Sequence, residues 1–101
     1  MEFYVIAEEE IVIGFHLVGI EGSIATNRQE ALDGFFHAVK EVKPKVVILT
    51  EEVASLLDAE VAKWNLSGNF PLLMEIPGLQ GKLPERKTLV QSIRESIGIS
   101  V

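Results

Sequence analysis

In this chain of 101 residues, two acidic runs each follow an apolar one. Glu8-Glu9-Glu10 comes directly after Phe3-Tyr4-Val5-Ile6-Ala7, and Glu51-Glu52 follows Val46-Val47-Ile48-Leu49-Thr50. Carboxylates gathered at the ends of buried strands can hold Mg²⁺ and, with an aspartate at the end of the central strand, can serve phosphoryl acceptance. Thr50 stands where that aspartate would be needed, and Lys82 does not clearly follow a strand. The carboxylates therefore read as solvated charge at helix starts, where they complement the helix dipole. The loop Gly78-Leu79-Gln80-Gly81-Lys82 lacks the spacing and the Ser or Thr of a phosphate-binding loop. Its glycines suit a tight turn out of a sheet.

Other reactive constellations are equally thin. The two histidines, His16 and His37, sit in helical patterns without a Cys or second His at a ligand spacing. None of Ser23, Ser55, Ser67, Ser92, Ser96 and Ser100 lies in a Gly-x-Ser-x-Gly elbow. There is no cysteine, hence no thiolate nucleophile, disulfide or Cys-based metal site. Trp64, the single tryptophan, falls late in an amphipathic pattern and reads as a core anchor. No catalytic residue, metal ligand or cofactor is expected.

The formal net charge of -6 disfavours sequence-independent binding to nucleic acid or to an anionic membrane surface. The opening Met1-Glu2-Phe3-Tyr4 has neither the basic start nor the cleavage site of a leader peptide, and no apolar run reaches membrane-spanning length. A cytoplasmic protein is expected, with any membrane association coming through another protein and no direct insertion.

The elements that must position these residues follow from periodicity. Residues 3–7 form a first buried strand. Residues 11–18 suit a short helix stopped by Gly19, and Ser23-Ile24-Ala25 a short strand. Thr26-Asn27-Arg28-Gln29 matches a capping box, opening a helix with Leu32, Phe35, Phe36, Val39 and Val42 on its apolar face and Pro44 as its stop. Residues 46–49 are an unbroken aliphatic run, as in a central strand covered on both faces. Thr50 then caps a helix whose Val53, Leu57, Val61 and Trp64 form one stripe. Residues 71–76 make a fourth strand, and a last helix runs from about residue 84 to 97, carrying Leu89, Val90, Ile93 and Ile97.

This alternation predicts an α/β fold: a four-stranded parallel sheet in the order 2-1-3-4 with helices on both faces, Rossmann-like or receiver-like, plus a C-terminal helix. Residues 1–77 would form the globular part, and residues 78–101 a loop and C-terminal helix, docked on the same domain or extended as an arm. Between residues 82 and 95, Lys82, Arg86, Lys87 and Arg94 outweigh Glu85 and Glu95 by about +2 in an otherwise acidic chain. A basic helix with a narrow apolar stripe, reached through Pro77, Gly78 and Gly81, suits either packing on its own sheet or contact with an acidic helical partner.

Four segments together resemble the family of F subunits of V-type and A-type ATPases. They are Gly14-Phe15-His16-Leu17-Val18-Gly19-Ile20, Thr50-Glu51-Glu52-Val53-Ala54, Pro71-Leu72-Leu73-Met74-Glu75-Ile76-Pro77-Gly78 and Ser92-Ile93-Arg94-Glu95-Ser96-Ile97-Gly98-Ile99. Their order and spacing run over nearly the whole chain. The resemblance implies a non-catalytic central-stalk component of a proton- or sodium-transporting rotary ATPase. Such a protein binds the coiled-coil D subunit, reaches toward the catalytic A/B hexamer through its C-terminal helix, and modulates coupling or ATPase activity. Lys82, Arg86, Lys87 and Arg94 are then the expected partner contacts, and Pro77, Gly78 and Gly81 the expected hinge. The alternatives are a receiver-like signalling domain lacking the usual phosphoacceptor and, last, a small enzyme using the acidic turn.

Overall fold

A computed structural model describes residues 2–79. The expected last helix, together with Gly81, Lys82, Arg86, Lys87 and Arg94, lies outside the described residues.

The sheet has the predicted architecture: four parallel strands in the order 2-1-3-4. Strand β1 (Phe3–Ala7) lies between β2 (Gly22–Ile24) and β3 (Val46–Thr50), and β4 (Leu72–Ile76) pairs with the far side of β3. Ile6 pairs with Ser23 on one side and Leu49 on the other, while Leu49 also pairs with Glu75. Central strands of a parallel sheet need apolar residues on both faces, and alternate residues of β1 accordingly enter different cores. Tyr4 and Ile6 join Val47 and Leu49 in one core, while Val5 and Ala7 join Ile48 in the other.

One helix, α1 (Glu9–Leu17), covers the second core through Ile11, Val12 and Phe15. It begins two residues earlier than the periodicity predicts, because Glu9 and Glu10 occupy its first turn and add favourable charge at the dipole's positive end. Gly19 at φ +89° carries the chain away after α1, in a conformation that side chains with a β-carbon rarely adopt.

The larger core lies under α2 (Arg28–His37), α3 (Glu51–Leu56) and α4 (Asp58–Ser67). Three details differ from the sequence-based expectation. First, the α2 cap is Asn27, whose side chain accepts from the Glu30 N–H at 2.9 Å. Glu30 reaches back to the Thr26 N–H at 2.9 Å and also accepts from the Thr26 hydroxyl. The reciprocal capping logic survives, displaced by one residue because Asn is at least as good a cap as Thr. Second, α2 runs into a π-helical turn over Ala38–Val42, closed by Lys43 at φ 51°. Third, the single helix expected after β3 is two, with Leu57 between them at φ -125°, ψ 28°. Leu57 is nonetheless fully buried with Val53 and Val61, so a shared apolar stripe spans the break. Thr50 caps α3 as expected, accepting from the Val53 N–H at 3.4 Å.

Among the described residues no helix is long and apolar enough to cross a membrane.

Candidate functional site

In a parallel sheet the carboxyl ends of neighbouring strands open side by side, and the ligand-binding crevice of such folds lies there. The β1–β3 register sets Ile6 against Leu49, which brings Glu8 level with Thr50 and the first turn of α3. The Thr50 hydroxyl donates to Glu8 Oε1 at 2.7 Å while also serving as the α3 cap. Glu8 Oε2 and both oxygens of Glu52 are shielded from solvent and, among the described residues, meet no hydrogen-bond donor. Gly78 closes over them: a β-carbon there would strike the Glu52 carboxylate and approach Glu8 Oε2 to 2.9 Å. This close approach, more than a turn conformation, explains the glycine after β4.

Chemically the edge holds two crowded carboxylates and a hydroxyl whose proton is directed at one of them. Thr50 is fully buried and engaged on both sides, so a nucleophilic or phosphoryl-accepting role has no free atom to use. Among the described residues, no three His, Asp, Glu or Cys side chains gather as a metal ligand set. The acidic runs thus meet in space beneath Gly78, and the expectation of solvated helix-start charge fails for Glu51, which is buried, and for Glu8 Oε2 and the Glu52 carboxylate, which are shielded from solvent.

The histidines are placed differently from their sequence isolation. His37 Nδ1 lies 3.3 Å from Glu41 Oε2 one turn on, and its ring packs 6.0 Å from that of Tyr4. His16 and His37 line one shallow hollow at the β2 edge, with Tyr4, Glu21 and Gly22 between them. Trp64 is an anchor as expected. Its indole N–H donates to the Pro71 carbonyl at 2.8 Å, and its ring meets Phe35 edge to face at 5.7 Å.

Phe36 departs from the sequence reading. Its helical spacing puts it on the buried stripe of α2, yet it is 44% exposed, because Ala31, Phe35 and Ala38 take the inward positions. It lines an open groove of about 410 Å³ between α2 with its π-helical turn and α4, whose floor also includes Phe35, Val39 and Trp64. Lys40 holds its ammonium 5.0 Å from the Phe36 ring centre, and Lys63 stands on the opposite wall. Glu60, the one acid among the described residues of the groove, is paired with Arg28 at 2.7 Å. The Arg28 hydrogen bond holds the Glu60 carboxyl below its usual range, and the same bond raises the guanidinium above its own. Sequence reasoning missed this groove. The available signal was the pair of basic residues, Lys40 and Lys63, each close in sequence to an aromatic, Phe36 or Trp64.

Similarity to known proteins extends over nearly the whole chain. The model of the family described as ATP synthase (F/14-kDa) subunit matches residues 3–97. The chain belongs to that family. It is similar to the A-type ATP synthase F subunit of Methanocaldococcus jannaschii, 28% identical over 102 residues covering 100% of this chain and 99% of the relative. The corresponding proteins of Thermoplasma acidophilum and Thermoplasma volcanium are 27% and 24% identical, each over 97 residues covering 96% of this chain and 91% of the relative. Family membership thus spans both the sheet and the stretch beyond residue 79.

Proposed function

We propose that this chain is the F subunit of a V/A-type rotary ATPase, a non-catalytic rotor protein that binds the coiled-coil D subunit and modulates coupling or ATPase activity by contact. The observation that carries this reading is the family match over residues 3–97, nearly the full chain, to relatives named as subunits of a larger machine. The engagement of Thr50 with Glu8 and with the α3 N-terminus supports it against the receiver-like alternative, which needs a free acceptor at that position. Action by contact means differential affinity for alternative conformations of the rotor and the catalytic hexamer.

In this reading Lys82, Arg86, Lys87 and Arg94 contact acidic partner surfaces, and Pro77, Gly78 and Gly81 form the hinge between the globular part and a C-terminal helix reaching toward the A/B hexamer. The protein then works at the cytoplasmic side of a membrane, held there by the complex. Mixing the purified chain with the D subunit of the same organism tests the assignment. A stoichiometric complex on size-exclusion chromatography is expected, weakened by joint Arg86→Glu and Arg94→Glu replacement. Absence of any complex with wild-type protein would overturn the assignment, and an unaltered complex in the double variant would remove those arginines from the contact.

A further inference from the structure

The aromatic groove between α2 and α4 combines an apolar floor with a basic rim. Its α4 wall is formed by Glu60, Lys63, Trp64 and Ser67, residues at successive helical turns. At 1.5 Å per residue that wall runs for about 10 Å, or two turns. Two roughly helical walls over an apolar floor are what an amphipathic helix fills, inserting side chains spaced three, four and seven residues apart. A volume of about 410 Å³ accommodates a few such side chains.

Charge then selects the occupant. The chain carries a net -6, yet among the described residues both free charges on this rim are positive. Among the described residues, neither Lys40 nor Lys63 meets a carboxylate, and Lys40 rests over the Phe36 face. Glu60 is neutralised by Arg28 and does not repel an acidic visitor. An exposed aromatic flanked by such cations is the composition of an interface centre with an electrostatic rim.

We infer that this groove docks an acidic amphipathic helix of the coiled-coil rotor subunit, with Phe36 and Trp64 receiving its apolar side chains and Lys40 and Lys63 pairing with carboxylates beside them. This rests on the rotor reading above and adds to it a contact surface on the globular part, built from residues other than 82–94.

Trp64 is the chain's single tryptophan and lies in the groove, so its emission reports on occupancy. The probe is a purified, tryptophan-free D subunit of the same organism, titrated into the full chain. Binding should shift Trp64 emission, and Lys40→Glu with Lys63→Glu should raise the dissociation constant at least about tenfold. Phe36→Ala should weaken binding without altering its salt dependence, whereas the double lysine reversal should flatten that dependence. Lys45→Glu, outside the groove, should leave affinity unchanged, and circular dichroism confirms that each variant is folded. Wild-type affinity in the folded lysine double variant would overturn the groove assignment while leaving the rotor assignment standing. If D does not bind wild-type protein at all, both fall.

Discussion

Glycines at two positions sit against other groups at distances that forbid a β-carbon, and the consequences differ with what they touch. At Gly22 a β-carbon would collide with the Val5 side chain and with its backbone carbonyl, neither of which can move without disturbing the β1–β2 pairing. Gly22→Ala is therefore expected to cost about 3 kcal/mol or more, read as a fall in the urea midpoint. At Gly78 the obstacle is the end of the Glu52 side chain, which can swing aside, so Gly78→Ala should cost under about 1 kcal/mol. The Glu52 carboxylate itself is a liability, since its shielded oxygens lack donors among the described residues and Glu8 lies beside it. Glu52→Gln should stabilise the fold by about 1 kcal/mol, because the amide removes the like charge and can donate to Glu8 Oε2. A lower midpoint in the Gln variant would mean that the carboxylate is matched by a group beyond the described residues.

At the scale of elements, helix ends and a helix break decide more than propensity. Asn27→Ala should cost about 1 kcal/mol by freeing the Glu30 N–H at the start of α2. Glu30 has its folded carboxyl depressed by the Thr26 side chain first and the Thr26 backbone second. Its contribution is thus present above the ordinary carboxylate range and is lost as pH falls through the depressed folded value. The α2 N-terminus should fray in that acidic window, visible as loss of amide protection at Ala31 on acid titration; protection that persists through the window would remove Glu30 from the cap. The strands were legible because β1 and β3 are unbroken apolar runs bounded by acids and a proline. The α3–α4 break was not, because Leu57 keeps its place in the apolar stripe while leaving the helical backbone conformation. Phe36 escaped for a related reason: helical spacing marks a face of α2 but not its edge, and Ala31, Phe35 and Ala38 take the inward positions while Phe36 is left half-exposed.

Across the whole molecule, the two sides of the sheet are unequally covered, three helices against one among the described residues. On the α1 side, Phe3, Leu72 and Met74 share a sheet face with Val46 and Ile48 and are each at least 40% exposed. The order 2-1-3-4 was readable from the alternation of elements, whereas the meeting of Glu8 and Glu52 beneath Gly78 needed the strand register as well. That same order governs what happens as the polypeptide leaves the ribosome. The strand made first can pair on one edge once β2 emerges, but its other edge waits for β3, some forty residues behind it. Until residue 50 has cleared the exit tunnel, β1 belongs to a half-made sheet with an open apolar side, the species most prone to stick to other nascent chains.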